Sequence, residues 1–196
     1  MRSLKLALIP AFAPLVVLAP LFVTSACTSE DPAPVFVDAS YQLRCIDCQQ
    51  HVPDEAVRNV QQLDGEAGYK LECDVSKSGS KRQITIDVQY DDPDHPADKH
   101  SIKIAQALID GKDPGGQCEV TVVEARTTYA GKCTADAPTA TEPCQVSFKI
   151  SGGSVKASVY CDNIPSPSSI DTTRYLVAPN TLNDPATIEV EGCSGL

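Results

Sequence analysis

Apolar residues recur at every second position along most of this chain after residue 34. Val35, Val37, Ala39, Tyr41, Leu43 and Cys45 alternate with other residues, as do Tyr69, Leu71, Cys73 and Val75, and then Ile84, Ile86, Val88 and Tyr90. Ile102, Ile104 and Leu108 repeat the pattern more loosely. Cys118, Val120 and Val122 restore it, followed by Cys144, Val146, Phe148 and Ile150. Val155, Ala157, Val159 and Cys161 come next, and Ile188 with Val190 form the last such run before Cys193. A period of two puts one strand face in a core and the other in water. About eight short strands at this spacing predict a mainly β fold, an antiparallel sandwich or barrel-like domain. "KISGGSVKA" between two runs reads as a hairpin, and the Pro- and Ser-rich "IPSPSSI" and "ADAPTATEP" read as loops. Pro53 to Leu63 reads as the one short helix or as a loop. Val57, Val60 and Leu63 lie near one helical face there, and Gly65 is a plausible stop.

The first 26 residues follow a different pattern. Arg2 and Lys5 precede an apolar stretch from Leu6 to Val23, and small residues Ser25 and Ala26 end it. This is the layout of a signal peptide. Pro10, Pro14 and Pro20 break the run, which suits a cleaved segment better than a permanent membrane span. The junction Val23-Thr24-Ser25-Ala26-Cys27 resembles the lipobox of bacterial lipoproteins, with Thr24 where that family usually has Leu, Val or Ile. The resemblance implies that Cys27 becomes the first mature residue and carries the lipid anchor. Residues 27–34 would then be the lipidated cysteine and a short tether, extended by Pro32 and Pro34. Thr28 after the cysteine implies, by likeness to enteric sorting, the outer membrane. Residues 35–196 remain as a single β domain.

Charge narrows the partners. The whole chain carries a net charge of −10. Without residues 1–26 it loses two basic residues and no acidic one, leaving a more acidic mature protein. Nucleic acid and anionic headgroups need positive surface, so neither is expected. A basic protein or a divalent cation remains an open ligand class, and the membrane is expected as a partner through the N-terminal lipid. The core must be built from modest side chains, for there is no Trp, and the mature part keeps two of the four Phe.

Cysteine usage addresses both points. With Cys27 taken by lipid, eight of the nine cysteines are left to pair: Cys45, Cys48, Cys73, Cys118, Cys133, Cys144, Cys161 and Cys193. An oxidising envelope would make them about four structural disulfides. Cys45, Cys73, Cys118, Cys144 and Cys161 are in phase with the apolar residues of their strands and are expected to face inward. Cys133 could share the phase of Tyr129, whereas Cys193 is out of phase with Val190. The expected pairs are Cys133–Cys144, closing an acidic, Pro-rich loop, and Cys161–Cys193, fastening the last strand.

Two constellations could carry chemistry. "RCIDCQQH" offers Cys45 and Cys48 in a Cys-x-x-Cys pattern with His51 behind. A redox pair wants a helix start on a βαβ frame, and zinc wants a second such pair. Neither follows in the sequence, so disulfides are the expectation. "YDDPDHPADKH" gathers Asp91, Asp92, Asp94, His95, Asp98 and His100. Carboxylates in one loop suit calcium, and histidines suit zinc or copper. The EF-hand rhythm is missing, so a solvated hairpin loop is the plainer expectation. Ser78-Gly79-Ser80-Lys81 spells the Ser-x-x-Lys of penicillin-recognising enzymes but reads as a polar turn between strands. "GKDPGGQ" lacks the ending of a phosphate loop. The expected function is a non-catalytic binding or structural module, lipid-anchored in the bacterial cell envelope and without cofactor. The alternative is a thiol–disulfide or metal-dependent envelope enzyme using Cys45 and Cys48 or the Asp91–His100 loop.

Overall fold

The computed structural model describes residues 33–45, 57–109, 117–125, 127–166 and 169–196. The segment read as a signal peptide, residues 1–26, and Cys27, Cys48 and His51 lie outside the described residues. The alternation becomes strands throughout: β1 (Phe36–Arg44), β2 (Arg58–Leu63), β3 (Tyr69–Ser78), β4 (Lys81–Tyr90), β5 (His100–Leu108), β6 (Glu119–Glu124), β7 (Thr127–Thr134), β8 (Cys144–Ser151), β9 (Ser154–Ser166), β10 (Ser169–Val177) and β11 (Ala186–Glu191). The fold is mainly β, as the period-two pattern predicts, and every ladder between the described strands but one is antiparallel.

Ladders link the strands into one long path. From β2 it runs to β1, through a position shared by β10 and β11, and on through β9, β8, β7, β6, β5 and β4 to β3. The shared position is a strand interrupted halfway. β11 sits between Phe36–Ser40 of β1 and Ser154–Val159 of β9, and β10 continues the same line beside Gln42–Arg44. Between them residues 178–185 loop out, closed by Ala178 N donating to Asp184 O at 2.8 Å. The loop is held by Arg44 Nη1 donating to Thr181 O at 2.8 Å and Asn180 N donating to Gln42 Oε1 at 3.1 Å.

Inward residues of both halves of the path form one core, from Val37 in β1 to Cys193 after β11. Its members are chiefly Val, Ile, Ala and Cys, with Tyr41 and Tyr129 as the large exceptions. The hairpin between β8 and β9 turns at Gly152 and Gly153, whose φ values of 59° and 87° are those of a two-residue turn matched to strand twist. At the other end, Gly192 has φ 76° and lies so close to the chain that a Cβ there would be 2.8 Å from Pro34 O. That left-handed step reverses the parity of the tail. Cys193, out of phase by simple counting, therefore turns inward and bonds Cys73. Ser194 then bridges Asp74, with Val75 N donating to Ser194 O at 2.8 Å and Ser194 N to Cys73 O at 2.9 Å. The tail thus covers part of the edge of β3.

Several expectations need correction. In place of a helix or loop at Pro53–Leu63, the described part is β2, paired with β1 from Phe36↔Leu63 to Tyr41↔Arg58. A ready partner strand overrides a thin helical stripe, and only Val60 of its residues is buried. Ile164–Ser166, expected in a loop, ends β9. The pairs Cys133–Cys144 and Cys161–Cys193 do not form. The disulfides defined among the described residues are Cys73–Cys193, Cys118–Cys133 and Cys144–Cys161. Cys133 and Cys144 are neighbours in register across the parallel pair of β7 and β8. Each is nevertheless taken by the chain on its other side: Cys133 lies beside Cys118, and Cys144 lies opposite Cys161. Cys45 is disulfide-bonded too but only half-buried, because it lies past the end of β1.

Candidate functional site

The Asp91–His100 segment hangs between two paired strands, and this decides what its side chains can do. Tyr90 ends β4 and His100 opens β5 directly opposite. Between them the chain makes one 3₁₀ turn at Pro96–Asp98. Asp92 is the hub of the loop. Its Oδ2 accepts from His95 Nδ1 at 2.9 Å and from Tyr90 Oη at 3.3 Å, while Oδ1 accepts from Asp94 N at 2.9 Å. The His95 hydrogen bond, with the Asp94 amide behind it, holds Asp92 below the usual carboxylate range. The same contact holds His95 above its ordinary value. Asp91 pairs with Lys99 at 2.7 Å. Asp94 and Asp98 are exposed.

His100 belongs elsewhere. It is buried, and its Nδ1 lies 2.7 Å from Asp98 O. A carbonyl only accepts, so Nδ1 carries the proton and the neutral ring offers Nε2 to the Tyr69 hydroxyl at 3.2 Å. Burial, with Arg58 nearby, holds His100 below the ordinary histidine range. The ring stacks on Tyr90 at 4.8 Å and meets the edge of Tyr69 at 5.9 Å. The sequence set Asp91, Asp92, Asp94, His95, Asp98 and His100 is therefore split. Part of it folds the loop, and His100 joins an aromatic cluster. Among the described residues no three of His, Cys, Asp and Glu come together as ligands for a metal ion.

Beside this cluster lies a charge pair that sequence reasoning missed. Arg58 of β2 grips Glu124 of β6, with Nη2 2.6 Å from Oε2 and Nε 3.2 Å from both carboxylate oxygens. The Glu124 side chain is only 3% exposed. Tyr41, opposite Arg58 in the β1–β2 ladder, is buried next to the pair. Burial, then the charge of Glu124, pushes its phenol far above the ordinary range. The available signal was Glu124 standing in phase with Val120 and Val122. Its partner was hidden by the helix or loop reading of Pro53–Leu63.

Neither described histidine bonds a serine or a cysteine; their partners are Asp92, the Asp98 carbonyl and Tyr69. Ser78-Gly79-Ser80-Lys81 is a strand-end turn, with Ser78 opposite Lys81. Cys73, Cys118, Cys133, Cys144, Cys161 and Cys193 are buried in disulfides, and Cys45 is oxidised as well. Cys27 and Cys48 lie outside the described residues. Comparison with known proteins finds no family model, no curated protein and no solved structure that matches this chain.

Proposed function

We propose that this chain is a lipid-anchored protein of the bacterial cell envelope, held at the outer membrane through Cys27. Its mature domain binds or builds rather than catalyses. The observation that supports the reading most is what becomes of the cysteines. Six of them are spent in three buried disulfides between neighbouring segments, which is how an exported domain with a modest core is braced. Buried, paired sulfurs offer no thiolate for redox or nucleophilic work. The lipobox-like junction supplies the address.

Two measurements test it. An intact mass of protein from the membrane fraction should show Cys27 as the first residue with a diacyl or triacyl addition, lost in Cys27→Ser. Labelling of the native fold by a maleimide should be absent without reductant, and the six buried cysteines should stay silent until a reductant and denaturant are added together. A leader still attached, or a mature mass without lipid, would sink the anchor. Rapid labelling of one or two thiols in the native state would sink the module and favour redox chemistry at Cys45.

A further inference from the structure

The alternation of β3 and β4 carries a break that the core does not need. Inward positions run Leu71, Cys73, Val75 and then Lys77 on β3, and Val88, Ile86, Ile84 and then Arg82 on β4. Cations thus continue an apolar face. Lys77 and Arg82 are direct partners across the ladder, and Ser78 faces Lys81 one step on. Like charges placed opposite each other disfavour pairing. Four cations elsewhere have acids: Arg58 has Glu124, Lys99 has Asp91, Lys103 has Asp87 and Lys156 has Glu189. Among the described residues no carboxylate pairs with Lys77, Lys81 or Arg82. In so acidic a chain, three neighbouring cations without acids among the described residues make a positive corner that net charge conceals.

An apolar floor lies beside them. Ser80, Lys81 and Arg82 line a groove of about 500 Å³ together with Ile109, Phe148 and Ile150. Phe148 and Ile150 continue the inward face of β8 where burial fades, since Cys144 and Val146 are buried and these two are half-buried. Cations at the rim and hydrocarbon at the floor fit an amphiphile with an anionic head. A purely polar anion would leave the floor uncovered. The chain itself indicates the source. Ala33 and Pro34, where the tether enters, line a second groove with Lys149 and residues 151–154. Lys149 alternates with Phe148 and Ile150 on β8, so the two grooves flank one hairpin. Five residues separate Cys27 from Ala33, a reach of at most about 20 Å.

We propose that this groove binds an anionic lipid of the membrane to which the protein is anchored. The headgroup phosphate sits at Lys81 and Arg82 on the rim, with Lys77 across the ladder from Arg82 adding positive charge, and hydrocarbon rests on Ile109, Phe148 and Ile150. The proposal rests on the binding-module reading and names its ligand class. It also limits the argument from net charge, which holds for the surface as a whole and not for this corner.

The test uses residues 33–196 without lipid. Their core is complete, running from Val37 to Cys193. Flotation with vesicles of equal parts phosphatidylglycerol and phosphatidylcholine should carry the domain up, whereas pure phosphatidylcholine should not. Lys81→Glu with Arg82→Glu should lower the partition by about tenfold or more. Lys70→Glu with Lys132→Glu makes the same change of charge at exposed sites outside the groove and should lower it by less than about threefold. Phe148→Ala should weaken binding without changing its dependence on salt. No flotation with anionic vesicles, or equal loss in the two double variants, overturns the proposal, as does full displacement by inorganic phosphate. Because this domain has no lipid, its behaviour is independent of whether Cys27 is acylated. The mass of the native protein decides that separately.

Discussion

Arg58 and Glu124 give the sharpest test of how this fold is held. Replacing Arg58 with Met keeps much of the stem but strands a carboxylate that is 3% exposed. Breaking a buried pair from one side costs about 3–5 kcal/mol, because the remaining charge has lost both water and partner. The Arg58 side chain keeps 20% of its surface in water. That access lets solvent reach the stranded group, so the expected loss is at the lower end, about 3 kcal/mol. Against the roughly 5–15 kcal/mol that holds an ordinary domain, this is a large fraction. Changing both partners, Arg58→Met with Glu124→Leu, removes the stranded charge and should return to within about 1 kcal/mol of the parent. Urea unfolding followed by tyrosine emission is suitable, since the chain has no Trp. A single-variant loss below about 1 kcal/mol would refute the reasoning. So would a double variant no more stable than the single one.

Other expectations follow from the same neighbourhood and from the seam beside it. Tyr41 Oη is buried with no hydrogen-bond partner among the described residues, so Tyr41→Phe should leave stability unchanged or raise it by up to about 1 kcal/mol in the urea assay. A Cβ at Gly131 would lie 2.7 Å from Pro143 Cγ and 2.8 Å from Ile164 Cγ2; Gly131→Ala should therefore cost about 1–3 kcal/mol, read as a lower urea midpoint. The two histidines oppose each other with pH. His100, held below its ordinary value by burial, favours the fold above the unfolded value of about 6.5, and this stability is lost as pH falls. His95, held above that value by Asp92, favours the fold at low pH and loses its contribution as pH rises. His95→Asn should then steepen the acid loss between about pH 7 and 5, and His100→Gln should flatten it; equal slopes in urea midpoint would disprove both assignments.

Much of this fold was legible as alternation, and the misses have physical causes. β7 was obscured by Gly131, whose inward position is empty of side chain because Pro143 and Ile164 occupy the space. β10 was obscured by Arg174, a fully buried cation in phase with Leu176, whose guanidinium lies 5.8 Å from the Tyr129 ring centre. Periodicity counts apolar residues, so it passes over a strand whose inward positions hold Arg or Gly. β2 was read as a helix or loop because only Val60 marks its inward face, and its identity comes from pairing with β1. The tail needed knowledge of Gly192, whose left-handed step changes the phase of Cys193. Of the candidate site, the loop residues were legible as turn formers. The separation of His100 from them was not, because it depends on Tyr69 and Arg58 arriving from other strands.

Two of the disulfides flank the thinnest ladder without crossing it, each tying its strand to the neighbour on the far side, which is why Cys133 and Cys144 do not bond each other. The long path has a weak seam at β7 and β8, its one parallel pairing, joined only by Cys133↔Cys144 and Thr134↔Gln145. Cys118–Cys133 fastens one side of that seam and Cys144–Cys161 fastens the other, with sequence separations of 15 and 17. A second seam lies at the edge of β3, where the tail is bridged only at Asp74↔Ser194. Cys73–Cys193 closes it across a separation of 120. Chain entropy makes the long closure the stronger one, near 5 kcal/mol against about 3 for each short one. Cys73→Ala with Cys193→Ala should therefore lower stability more than Cys118→Ala with Cys133→Ala. It should also release the tail locally: the amides of Val75 and Ser194, which bond across this edge, should lose protection from hydrogen exchange before the rest of β3 does. If those amides stay protected, or if the short closure proves the costlier loss, the tail is held by packing rather than by its crosslink.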